Sequence, residues 1–279
     1  AAVAVFMVAS WLRALRWQIL FVKDPPTVRR LFVIQNEGLG LNNVLPVRVA
    51  SEAVQLAVLT MRDGVNGATA LATLGMERVI DVVASTFILA LAFLFVPEMR
   101  NFTPYVAGAF IFALVAVGLV RVLAWGSGAL AFINKFRRLA EFGQAVRALE
   151  RERGRLALAT AVSLVYWLMI GVTAWIVANA IALSITPVTA TLVIMGTIFF
   201  ATAVPAAPSA IGTFEFAVVY MLGFFSVDRS EGFGFAVIVH AVFFLPPTVI
   251  AAVFLPREGV LTMRGRRAAA RAADAKSSG

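Results

Sequence analysis

Five mostly apolar stretches, near residues 1–22, 67–96, 104–125, 156–183 and 232–255, are each long enough to cross a lipid bilayer. A hydrocarbon core of about 30 Å takes roughly 20 residues at about 1.5 Å per helical residue. Inside it every backbone N–H and C=O must be satisfied within the protein, so spans of this length predict helices. The expected fold class is an all-α integral membrane protein, a polytopic helix bundle in which residues 1–255 form one transmembrane domain. Composition agrees, since 61% of the 279 residues are hydrophobic and 14% charged, against roughly 45–50% and about 25% in soluble domains.

Two further apolar stretches are interrupted. Residues 33–61 contain Glu37, Gly38, Gly40, Asn42, Asn43, Pro46, Arg48 and Glu52, and residues 189–225 contain Pro205, Pro208, Gly212 and Glu215. Proline removes a backbone donor, and broken backbone at membrane depth survives only where protein or water satisfies it. Each stretch therefore predicts two half-helices folded into a re-entrant hairpin, with Pro46, Pro205, Pro208 and Gly212 as the structural breaks. The two stretches echo one another. Pro46 lies six residues before Glu52 and Pro208 seven before Glu215, while Glu77 follows Glu52 by 25 residues and His240 follows Glu215 by 25. Three spans separate the corresponding parts, and an odd shift turns the second copy over. The pattern fits an inverted-topology repeat of the kind transporters build around a midplane site. Chance remains the alternative, because the match is of pattern rather than residue identity.

The net charge of +9 raises the question of nucleic acid, but the basic residues lie between the spans rather than on a soluble module. No nucleic-acid partner is expected. Lys and Arg number three in 23–30, one at Arg62, one at Arg121, seven in 126–155 and six in 256–279, with Arg100 and Arg229 on the opposite side and the other four, Arg13, Arg16, Arg48 and Arg78, within the membrane. The positive-inside rule then places the 18-residue set and the C-terminus in the cytoplasm of a multi-pass cell-membrane protein. This works only if each hairpin returns to the side it entered. The linker 126–155 has Phe132, Phe136, Leu139, Val146 and Leu149 at helical spacing among Lys135, Arg137, Arg138 and Arg147. It suits an amphipathic helix lying on the inner leaflet or a solvated connector equally well. Residues 256–279 read as a frayed basic cytoplasmic tail, and Trp17 and Trp167 as interface anchors.

With no Cys and a single His, thiol chemistry, cysteine zinc sites and two-histidine metal centres are excluded. No metal or cofactor is expected, and no P-loop is present to use a nucleotide. The informative residues are the ionisable ones inside the apolar segments, where an isolated charge costs at least about 2.5–3.5 kcal/mol. Arg13, Arg16, Arg48, Glu52, Glu77, Arg78, Asp81 and Glu215 all lie within or beside spans. On a helix Arg78 and Asp81 are i, i+3 neighbours and Glu77 and Asp81 are i, i+4. Glu77 and Asp81 serve either substrate or an internal ion-pair network. Arg48, just past a proline break, offers a guanidinium beside freed amides to a phosphate, or else snorkels to the interface. Glu215 falls in the first turn of a half-helix, as a cap or as a gating or proton-coupled group. His240 is either a hydrogen-bonded packing residue or a member of that gate.

The order Asn43, Leu45, Pro46, Arg48 and Glu52, then Glu77-Arg78 with Asp81, then Pro205 to Glu215, resembles the flippase-like transmembrane region of lysylphosphatidylglycerol synthases and the stand-alone membrane members of that family. Arg16-Trp17 fits the same pattern, and the resemblance runs to about residue 255. The chain departs from it at Ser51, where the family tends to have Gly, and at Ser209-Ala210. The resemblance implies translocation of a phospholipid or glycolipid between leaflets, a helix preceding residue 1, and, in bifunctional members, a soluble transferase domain after the membrane part. Asn43, Arg48, Glu52, Glu77, Arg78, Asp81 and Glu215 are then the expected substrate-binding residues, with membrane lipids as partners and no catalytic residue assigned. Two alternatives stay open, an intramembrane enzyme acting on a lipid headgroup and a membrane partner subunit of a separate synthase. Self-association is compatible with each.

Overall fold

A computed structural model describes residues 1–44, 50–97, 100, 103–125, 137–203 and 210–277. Among these residues the structure is helical throughout, with no strand. In chain order the helices are α1 Ala2–Ile19, α2 Val28–Val44, α3 Ala50–Met61, α4 Gly67–Phe95, α5 Thr103–Trp125, α6 Arg137–Arg151, α7 Arg153–Ala180, α8 Pro187–Ala203, α9 Thr213–Gly223 and α10 Arg229–Ser277. Segments in α4, α7 and α10 are long and apolar enough to cross a membrane. The apolar part of α5, Val106–Val122, is shorter. Its Ile111 and Leu114 are well over half exposed, as expected of side chains that face lipid rather than protein.

α1 joins the two halves of the bundle. Phe6 and Ala9, near its start, belong to a core that includes Ala174 of α7, Val193 of α8, Val218 of α9 and Val239 of α10. Ala14 and Trp17, near its end, belong to another with Leu31 and Ile34 of α2, Leu59 of α3 and Leu74 of α4. In each half a broken stretch forms two helices packed on each other, α2 with α3 and α8 with α9. Glycines set how closely they approach. A Cβ on Gly38 of α2 would lie 2.9 Å from the Ser51 carbonyl oxygen of α3, and one on Gly196 of α8 would lie 2.6 Å from the Met221 methyl of α9.

Three expectations are corrected. Trp17 and Trp167 are buried rather than interfacial, and the Trp17 indole N–H donates to Thr73 Oγ1 at 3.3 Å. The basic tail is helical through Ser277 as a continuation of α10, despite Pro246, Pro247 and Pro256 within it; alanine and arginine are strong helix formers. In the linker, α6 lays its apolar face on protein. Val146 packs against Ala72, and Leu149 joins Leu20, Met76 and Ile80. Phe132 and Phe136 lie outside the described residues.

Candidate functional site

Arg13 and Arg16 share one face of α1 at i, i+3, and Glu77 and Asp81 share one face of α4 at i, i+4. The two faces meet. Arg13 Nε donates to Glu77 Oε1 at 3.0 Å and Arg16 donates to the same oxygen at 2.6 Å. Arg16 also holds Asp81 through both of its carboxylate oxygens and Ser163 Oγ of α7 at 2.6 Å. Ser163 in turn donates to Asp81 at 3.2 Å, and the Tyr166 ring lies 5.8 Å from the Arg16 guanidinium carbon. Arg16 is 0% and Glu77 2% exposed. Two cations and two anions withdrawn from solvent with their hydrogen bonds largely made form a neutral network that ties three helices together.

Arg78 does not join its i+3 neighbour Asp81. Asp81 is taken by Arg16, and Arg78 forms an ion pair with Glu52 of α3. A surface i, i+3 pair contributes only about 0.2–0.5 kcal/mol, too little to compete with a buried contact between helices. The Glu52 and Arg78 side chains keep 36% and 49% of their surface exposed, unlike the sealed cluster a turn away.

The other half holds a matching contact. Gly212 adopts φ +80°, a left-handed conformation natural only to glycine, and α9 starts directly after it. Glu215 Oε2 accepts the Gly212 N–H at 2.7 Å, and Oε1 lies 2.5 Å from Nδ1 of His240. His240 is wedged between Phe214 and Phe244, with ring centroids at 4.6 and 4.1 Å. One carboxylate thus both caps the start of α9 and contacts His240. The two contacts occupy equivalent places. Glu52 is the third residue of α3 and Arg78 the twelfth of α4, while Glu215 is the third of α9 and His240 the twelfth of α10.

Asn43 reaches neither contact. Its amide donates to the Phe244 carbonyl at 3.1 Å and to Thr248 Oγ1 at 3.0 Å, beside the Pro246-Pro247 pair of α10. Gly40, one turn earlier, packs so closely there that a Cβ would sit 2.4 Å from the Pro247 carbonyl oxygen. Pro46, Arg48, Pro205 and Pro208 lie outside the described residues. Among the described residues no group of three or more His, Asp or Glu is placed to hold a metal ion.

The structural role of Arg13 and Arg16 does not follow from either position alone. The usable signal was charge matching: two arginines at i, i+3 in one apolar helix answer two acids at i, i+4 in another. Ser163 and the buried Ser10–Asn36 hydrogen bonds carry no sequence signal of this kind.

Long apolar helices wrapped around a sealed charge cluster, with two further acid–base contacts between neighbouring helices, define a polytopic helical membrane protein. The chain belongs to the family described as the lysylphosphatidylglycerol synthase TM region, whose family model matches residues 1–251. No curated protein and no solved structure matches it.

Proposed function

We propose that this protein translocates a phospholipid or glycolipid between membrane leaflets. The observation that carries the reading is the equivalence of the two contacts, Glu52–Arg78 and Glu215–His240, at matching positions of two helix pairs in the two halves of the bundle. In this reading α2–α3 and α8–α9 are re-entrant hairpins of an inverted repeat, entering from opposite sides, with the C-terminus cytoplasmic. The half-exposed Arg78 and Glu52, together with Arg48, receive the headgroup phosphate and any attached cation, while the acyl chains stay in lipid. Glu77, Asp81 and Asn43 act less directly, by holding α4 and α10 where those groups converge. Glu215 and His240 form the counterpart contact at the second hairpin, and rocking of one half against the other exposes the headgroup path to each leaflet in turn. Family membership supports a lipid-related role.

The test is reconstitution into liposomes carrying labelled lipids with zwitterionic, aminoacylated and glycosylated headgroups. Protein-dependent movement of at least one is expected, and it is abolished by Arg48→Ala with insertion retained. No movement of any headgroup under any ion gradient or membrane potential sinks the proposal. Chemical analysis of the recovered lipids distinguishes turnover by an intramembrane enzyme from translocation.

A further inference from the structure

One buried acid belongs to none of these contacts. Glu37 of α2 is 0% exposed, and both of its carboxylate oxygens lack a hydrogen-bond partner and are closed to solvent. Ile34, Gln35, Asn36 and Gly38 around it are buried too, so this turn of α2 is covered on every side and offers the side chain no exposed face of its own. The helices that cover it are α1, α3 and α10.

Among the described side chains, the charged groups those elements bring are either at the surface, as are Arg29 of α2 and Arg229, Glu231 and Arg257 of α10, or engaged elsewhere. Arg13 and Arg16 of α1 bind Glu77 and Asp81, Glu52 of α3 binds Arg78, and His240 of α10 binds Glu215. Arg30, on α2 itself, bonds Asp63. Arg30, Arg62 and Asp63 influence Glu37 through space only. On the α3 side the chain is tightly closed, because a Cβ at Gly38 would lie 2.8 Å from Gln55 Nε2 and 2.9 Å from Ser51 Oγ. Gln55 Nε2 donates to Ser51 Oγ at 2.9 Å, and neither side chain bonds Glu37. A carboxylate ion enclosed without a partner is costly, whereas the neutral acid keeps only the smaller penalty of a buried polar group.

We propose that Glu37 is a proton-binding site. In the enclosed arrangement its carboxyl holds a proton taken from water, and it returns that proton to water when α2 and α3 separate far enough to wet it. Proton occupancy and closure of α2 against its neighbours are thereby two sides of one equilibrium. The consequence that lipid movement depends on pH through Glu37 rests on the proposed function, whereas protonation of Glu37 does not.

The experiment is infrared difference spectroscopy of the full chain in lipid nanodiscs at neutral pH, in H2O and D2O. The wild type is expected to show a protonated-carboxyl C=O band that shifts in D2O and is missing from Glu37→Gln, a variant that mimics the neutral acid and should fold. Glu37→Asp should keep the band at a displaced frequency. No such band in the wild type, or the same band in both variants, overturns the proposal. In vesicles, wild-type lipid movement should change several-fold across the neutral pH range while Glu37→Gln stays flat. Failure of all lipid movement with the Glu37 band intact overturns the flippase reading alone, and movement without the band overturns the proton site alone.

Discussion

Glu52 and Arg78 join the third residue of one helix to the twelfth of the next, and Glu215 and His240 do the same in the other half of the molecule. Each acid sits in the first turn of a helix, where a carboxylate complements the helix dipole, and each reaches the long helix that follows. The two contacts differ in chemistry. A guanidinium is a permanent cation with a fork of donors, and an imidazole is not. In the proposed function the first contact exchanges its carboxylate for a phosphate, while the second is a hydrogen bond held between aromatic rings.

Arg78→Ala is therefore expected to separate stability from activity. Half-exposed ion pairs contribute about 0–1 kcal/mol, so the thermal midpoint in detergent should change little. Lipid movement should fall at least tenfold. A large drop in midpoint with proportionate loss of transport would make the pair structural.

Arg16→Ala should do the opposite. It leaves Asp81 without its principal partner and Glu77 with Arg13 alone inside the bundle, and breaking a buried pair costs about 3–5 kcal/mol. Thermal unfolding should move down by an amount that Arg16→Lys only partly recovers, because an ammonium cannot hold Glu77, Asp81 and Ser163 with one planar fork. Unchanged stability in Arg16→Ala would remove the cluster from its structural role.

Glycine-to-alanine substitutions give an internal control. At Gly171 the added Cβ would lie 1.8 Å from Thr191 Oγ1, and at Gly40 it would lie 2.4 Å from the Pro247 carbonyl oxygen. Overpacking of this kind typically costs about 1–3 kcal/mol. Gly108 of α5 has nothing within 4 Å, and Ala there should stabilise by up to about 1 kcal/mol through helix propensity. Thermal melts of the three variants, ranked side by side, check this directly.

Glu215→Gln should retain more stability than Glu215→Ala. Glutamine can still accept the Gly212 N–H, whereas alanine leaves the start of α9 uncapped at a cost of about 0.5–2 kcal/mol. Equal losses in the two variants, measured by urea or thermal unfolding, would mean that the negative charge beside His240 matters more than the cap.

The helical class and the start of α9 after Gly212 are readable in the sequence because apolar length predicts a helical span and Gly within it an interruption. The position of Glu215 in a first turn followed from Gly212 and Thr213. Partner choice was less accessible. Arg78 lies three residues from Asp81, yet it pairs with a residue on another helix, and nothing local encodes which long side chain crosses which gap. Trp17 illustrates the same limit, since an indole near the end of an apolar run suits the interface until a facing Thr73 supplies the acceptor that lets it be buried. The covered face of α6 also depended on what it packs against, because a hydrophobic stripe does not say whether lipid or protein lies opposite.

The balance within the Arg13, Arg16, Glu77 and Asp81 cluster has an electrical consequence. A membrane potential acts with about 2.3 kcal/mol per elementary charge per 100 mV, but a unit holding two charges of each sign feels no net force. Displacement of α1 and α4 as a body would carry this cluster through the field without gating current. Voltage dependence measured in transport should then report charges outside this cluster, Arg78 of α4 and the lipid headgroup among them, and differences in that dependence between headgroups would read their charge at the moment of crossing.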